Sequence, residues 1–151
     1  MTGIVVHRVV DWQDTDAAGH YHHGTVVRWV EAAEAALLES LGLRGLFGGI
    51  PRVRYEVDYL ERLWFGDTAA IDLTVAAVGR SSVRYDFVIR RIPAETRTHT
   101  AEPPAIAARG SLTAVHAPDA TGGSRPWPAS LAAALRAGVP IDSEPTSTQL
   151  M

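Results

Sequence analysis

Apolar and polar positions change their period twice along this chain. Ile4 to Trp12 is rich in valine and reads as a first strand, although its alternation is poor. The segment that follows, DTDAAGHYHHG, is a run of turn formers with no period at all. From about His23 to Leu41 the pattern becomes helical, with Val26, Val30, Ala33, Leu37 and Leu41 recurring every three or four residues. Arg28, Glu31 and Glu34 form a narrow polar strip, and Ala and Leu fill most of the remaining circumference. So much apolar surface predicts a helix enclosed on more than one side. Gly42 and Gly45 supply its stop. Such a helix would be roughly 27 Å long, about the width of a small sheet.

After Pro51 the period drops to two. Val53, Tyr55, Val57 and Tyr59 alternate with charged residues, as do Ile71, Leu73, Val75 and Ala77 with polar or small ones. Val83, Tyr85, Phe87 and Ile89 repeat the pattern, and a last strand spans about Ile106 to His116. Short turns are expected at Phe65-Gly66-Asp67 and Gly79-Arg80, a looser stretch between Pro93 and Pro104, and a short helix between Pro126 and Ala137. The predicted order is strand, long helix, then four strands in a meander. That is an α+β class, one antiparallel sheet on one long helix, in a single domain over residues 1–140 with a disordered tail at 141–151.

Composition narrows the chemistry. The 151 residues contain no Cys, Lys or Asn, and all fourteen basic residues are Arg. Thiol nucleophiles, Cys-ligated zinc, lysine Schiff bases and asparagine-built oxyanion holes are therefore excluded. A net charge of -3 argues against nucleic acid as the main partner. The N-terminal stretch has no long apolar core of a signal peptide, and no apolar run reaches a membrane span, so a cytoplasmic protein is expected.

The only dense cluster of titratable side chains is Asp14, Asp16, His20, His22 and His23, at the strand-to-helix junction. Histidine and carboxylate suit zinc or iron, but no H-x-x-x-H or H-E-x-x-H spacing follows, and no metal is expected. Asx-turns and loop histidines would also account for these residues. The junction itself adds a catalytic alternative. A helix N-terminus offers unpaired amides and partial positive charge, so a carboxylate feeding it can act on an electrophile whose oxyanion those amides hold.

Asp14-Thr15-Asp16-Ala17-Ala18-Gly19, His22-His23-Gly24-Thr25 and Val27-Arg28-Trp29-Val30-Glu31-Ala32-Ala33 resemble the signature of hotdog-fold acyl-CoA thioesterases of the 4-hydroxybenzoyl-CoA thioesterase type. Tyr55 to Leu60, Phe65-Gly66-Asp67 and Gly79 to Val83 resemble that family's later strands, so the likeness runs from about residue 5 to residue 137. The resemblance implies a hotdog fold, one long central helix wrapped by a five-stranded antiparallel sheet. It also implies that Asp16 attacks a thioester carbonyl or activates water against it. His23, with Gly24 and Thr25, would supply the oxyanion site, the His23 imidazole assisting proton transfer. Asp14 would hold the loop. Trp12, His22 and Trp29 fall at positions that would line the acyl pocket, and Trp64 could line it too, although a tryptophan on a central helix or strand end is more often core.

No cofactor is implied; coenzyme A or phosphopantetheine would arrive as part of the substrate, an acyl-CoA or an acyl-carrier protein. The family buries its site between subunits, which implies a homodimer and, commonly, a tetramer. Without lysine, only arginine can grip a CoA phosphate, and Arg80, beside Ser81 and Ser82, is the best-placed candidate, ahead of Arg84, Arg90 and Arg91. Strand arginines also pair with Glu56, Asp58 or Asp86, and Glu31 with Arg28 or Arg54. Two other functions fit the same residues: a hotdog enoyl-acyl hydratase or dehydratase, and a catalytically silent acyl-thioester binding protein.

Overall fold

The structure, a computed structural model, describes residues 2–94 and 105–138. The expected tail at 141–151 and most of the loose stretch before Pro104 lie outside these residues. Within them, five strands form one antiparallel sheet: β1 (Gly3–Val9), β2 (Arg52–Tyr59), β3 (Thr68–Val78), β4 (Ser82–Ile92) and β5 (Ile106–Val115). A long helix, α1 (His23–Ser40), joins β1 to β2, and a short one, α2 (Ala129–Ala137), closes the described chain. None of the helices in this part is long and apolar enough to cross a membrane.

The helix bounds agree with the periodicity, but β1 is shorter than expected. It stops at Val9, and Trp12–Asp14 forms a 3-10 turn instead. Asp11 explains the early stop. Its carboxylate accepts from the Trp12 N–H, and its own N–H donates to Asp14 Oδ2, a capping box that commits the chain to a turn.

The expected four-strand meander is not what forms. The spatial order is β1-β3-β4-β5-β2, so only β3, β4 and β5 meander. β1 takes the free side of β3, with Val6 opposite Ile71, and β2 takes the free side of β5, with Tyr55 opposite Leu112. Gly110 makes that last pairing close. A Cβ there would lie 1.9 Å from the Glu56 carbonyl oxygen and 2.9 Å from the Phe87 ring. The chain must then return from β2 to β3 across the ends of β5 and β4, about 14 Å at ordinary strand spacing. Residues 60–67 make this crossing, where a short turn had been expected.

One face of the sheet carries Ile71, Leu73, Val83, Tyr85, Phe87, Ile89 and Leu112, all essentially buried. Against it α1 lays Val26, Trp29, Val30, Ala33, Leu37 and Leu38, the valines and leucines each contributing roughly 2 kcal/mol of burial as an upper estimate. Glu34 departs from the expected polar strip. It is wholly buried and paired with Arg52 of β2, because the sheet covers this side of the helix as well. Burial raises the Glu34 carboxyl above its ordinary range against the pull of Arg52. The Tyr85 hydroxyl is raised by its own burial and then by the charge of Glu34.

Gly110→Ala is expected to cost roughly 3 kcal/mol through overpacking, lowering the melting temperature by on the order of 10 °C; an unchanged melting curve would contradict the contact with Glu56. Arg52→Met leaves Glu34 buried without its counter-ion, at about 3 kcal/mol. Because the folded state raises the Glu34 pKa, the penalty is absent below the unfolded value, builds as pH rises above it and is complete once the folded value is passed. Chemical denaturation should therefore show a smaller loss at pH 5 than at pH 8, and an equal loss would rule this account out.

Candidate active site

The loop between β1 and α1 is built by its own acids. Asp14 ties it to the helix: Oδ1 lies 3.0 Å from Arg28 Nη2, and its carbonyl accepts from the His22 N–H at 2.6 Å and the Thr25 hydroxyl at 3.1 Å. This is the loop-holding role expected of Asp14, and it takes Arg28 away from Glu31. Arg54 pairs with Glu56, so neither expected partner of Glu31 meets it. Asp16 closes the next turn. Its Oδ1 accepts from the Ala18 N–H at 2.8 Å, its carbonyl from the Gly19 N–H, and its N–H donates to the His20 carbonyl. Gly19 makes that turn with φ of 85°, a conformation costly for any side chain. The expected Asx-turn is thus present at Asp16, and its carboxylate stays exposed.

His22 caps α1, its Nδ1 accepting from the Gly24 N–H at 3.0 Å. The Thr25 N–H donates to the His22 carbonyl at 2.9 Å. Two of the three amides expected to hold an oxyanion are therefore engaged in the cap. The His23 N–H has no partner among the described residues, and its ring stacks on His22 with centroids 4.4 Å apart.

The crossing from β2 to β3 forms the opposite wall. The Tyr21 N–H donates to the Leu63 carbonyl at 2.7 Å, His20 bridges to Trp64, and the Leu60 and Glu61 amides both reach the Ala107 carbonyl. The Tyr21 hydroxyl donates to the Glu61 carbonyl at 3.1 Å, and burial, then the neighbouring Tyr59, pushes its pKa up to about 12. Tyr59, also raised by burial, donates to the His23 carbonyl at 2.8 Å and so pins the first turn of α1 to β2. Between these walls lies a cleft of about 700 Å³. Asp16, His23, Tyr59, Trp64, Arg62 and Arg91 are among its lining residues.

Asp16 and His23 thus meet at one cleft, as the sequence suggested. The other expected residues do not join them there. Trp12 is 75% exposed and packs edge-on against Phe65, while Trp29 is buried in the core against Tyr21. His22 serves as the cap, and Thr25 is buried with its hydroxyl on the Asp14 carbonyl. Arg80, Ser81 and Ser82 sit at the β3–β4 turn. The Arg80, Ser81 and Ser82 carbonyls accept from the Trp127 amide, the His116 amide and the Trp127 indole. The antiparallel hairpin puts that turn at one end of β3 and the cleft beyond the other, about 30 Å apart by strand rise. Arg91, at the far end of β4, lines the cleft instead, and Arg84 faces Asp86 at 3.6 Å as a solvated pair. Tyr59, Glu61 and Arg62 were not among the expected site residues. The signal for them is positional, since they end or follow β2, a strand whose partner the sequence misplaces. No group of three or more potential metal ligands occurs among the described residues.

Known proteins give this geometry a context. A 1,4-dihydroxy-2-naphthoyl-CoA hydrolase of Synechococcus elongatus is 33% identical over 87 residues, 53% of this chain and 64% of that protein, so the chain matches less than two thirds of the relative's length. A 1,4-dihydroxy-2-naphthoyl-CoA thioesterase from Synechocystis superposes with a TM-score of 0.75 at 21% identity, over 89% of this chain and 96% of the other. The 4-hydroxybenzoyl-CoA thioesterase of Pseudomonas sp. strain CBS-3 does so with a TM-score of 0.71 at 18% identity, over 85% and 96%. These likenesses show a shared thioesterase hotdog-like fold with a five-stranded antiparallel sheet. The family model that spans residues 10–135 covers β2 to β5, the long helix and both walls of the cleft, and by that match the chain belongs to the thioesterase-like superfamily.

Proposed function

We propose that this protein hydrolyses an acyl-CoA or acyl-carrier-protein thioester to a free acid and a thiol. One observation carries the reading: the first-turn amide left without a partner belongs to His23, which lines the same cleft as Asp16. A thioester carbonyl placed there would have its developing oxyanion held by the His23 N–H at the positive end of α1. Asp16 then acts in one of two ways. As general base it takes a proton from water, whose oxygen attacks the carbonyl carbon; collapse breaks the C–S bond and the thiolate leaves with a proton. As nucleophile its carboxylate oxygen attacks the carbonyl carbon, the C–S bond breaks and the thiolate leaves with a proton; water then opens the resulting mixed anhydride, releasing the acid and restoring the Asp16 carboxylate. In this reading the His23 imidazole assists the proton transfers. The activities of the similar proteins support the acyl-CoA class, and the CoA or phosphopantetheine arm needs no separate cofactor.

The assembly we propose is a homodimer, with a tetramer as its extension. β2 is an edge strand carrying Arg52, Arg54, Glu56 and Asp58, so antiparallel pairing with a second copy would set arginines opposite acids. A second copy also offers Arg80, Ser81 and Ser82 a way to serve a cleft they do not reach within their own chain.

Asp16→Asn is expected to lower thiol release by about a hundredfold or more with the fold intact by circular dichroism; unchanged release would remove Asp16 from the chemistry. Hydration of an enoyl thioester without thiol release would instead favour a hydratase, and saturable binding without turnover a silent carrier. Arg80→Ala should raise KM for acyl-CoA about tenfold, with the loss confined to thioesters that carry the CoA phosphates. An equal loss on N-acetylcysteamine thioesters would end its assignment to phosphate.

A further inference from the structure

Inward positions of β4 read Val83, Tyr85, Phe87 and Ile89, each at most 1% exposed, and the next inward residue is Arg91. A guanidinium at the end of a core face is costly to desolvate unless something compensates it. Asp67 does so. It is wholly buried, with Oδ2 3.3 Å from Arg91 Nε and 2.9 Å from the Trp64 N–H, while Oδ1 accepts from the Ala94 N–H at 3.0 Å. Asp67 thereby ties the cleft wall at Trp64 to the exit of β4 through two amides, and it meets Arg91 as an ion pair alone, the buried Nε–H having no hydrogen-bond acceptor among the described residues. Among the described residues no other group pairs with this guanidinium, which lines the cleft with Asp16 and His23.

Resting on the thioester-hydrolase reading, we propose that Arg91 is the residue that selects the acyl group, by donating from its terminal nitrogens to an uncharged oxygen acceptor on it. Three features direct the choice. Arg91 is only 26% accessible, whereas Arg62 on the same cleft is exposed, so Arg91 is the more enclosed of the two and the better able to meet a desolvated group. Asp67 already balances its charge, so a carboxylate would bring an uncompensated negative charge beside a buried one, while a hydroxyl or keto oxygen would not. Tyr21, Tyr59 and Trp64 line the space in between and favour a flat group. Arg91 acts here as a specificity-determining contact and takes no proton.

The test compares benzoyl, 4-hydroxybenzoyl and 4-carboxybenzoyl groups, each as the CoA thioester, the N-acetylcysteamine thioester and the unreactive amide analogue. In the unaltered protein the hydroxyl-bearing group should be preferred over the unsubstituted one, and the carboxylate disfavoured. Arg91→Met should reduce the hydroxybenzoyl-to-benzoyl ratio of kcat/KM about tenfold, and Arg91→Lys, which keeps the charge balance with Asp67 should the methionine variant fold poorly, should reduce it less. A ratio unmoved by either variant would overturn the proposal, because a purely structural arginine would impair all three substrates alike. So would a preference for the carboxylate, or a loss confined to CoA thioesters, which would assign the guanidinium to phosphate. If no thioester is turned over, the hydrolase reading fails, and the affinities of the amide analogues still decide the role of Arg91.

Discussion

Everything at the functional end of this molecule depends on how closely β2 can lie against β5. Gly110 leaves the Glu56 backbone room that no side chain would allow, and β2 therefore settles on the outer edge of the sheet. From that edge the chain has to come back over the strand ends to begin β3. The crossing carries Leu60, Glu61, Arg62 and Trp64 past the Asp16 loop and so creates a wall where a compact hairpin would have left open solvent.

The other wall is set by helix capping. Each of the first amides of α1 must find an acceptor or remain available. His22 answers for Gly24 with its ring and for Thr25 with its carbonyl, and Tyr59 fixes the His23 carbonyl from across the cleft. What is left over is the His23 N–H, on a cleft that the exposed Asp16 also lines. The reactivity proposed above is thus a remainder, drawn from groups that local folding does not consume.

The long helix and the acid-rich loop were legible in the sequence because their signals are contiguous: a sustained helical period and a block of turn formers. The position of β2 was not, since its alternating pattern is the same on either edge and chain adjacency suggests a hairpin. That single ambiguity hid which end of β4 reaches the cleft. Arg80 and Arg91 stand at opposite ends of one strand, and the alternation of β4 does not tell which end faces the loop. Glu34 escaped notice for a related reason, as its spacing from Arg28 and Glu31 suits a wet strip as well as a buried pair with Arg52. His22 and Thr25 fell at motif positions, yet motif spacing does not distinguish a ligand contact from a cap.

Asp67 has a mechanical consequence. One carboxylate binds the Trp64 amide, the Ala94 amide and the Arg91 guanidinium. The side of the cleft and the exit of β4 are therefore fastened to one carboxylate. Under the proposed function, an acyl group that displaced Trp64 would have to carry Arg91 and the exit of β4 with it. This corner would then measure its substrate as a rigid gauge does.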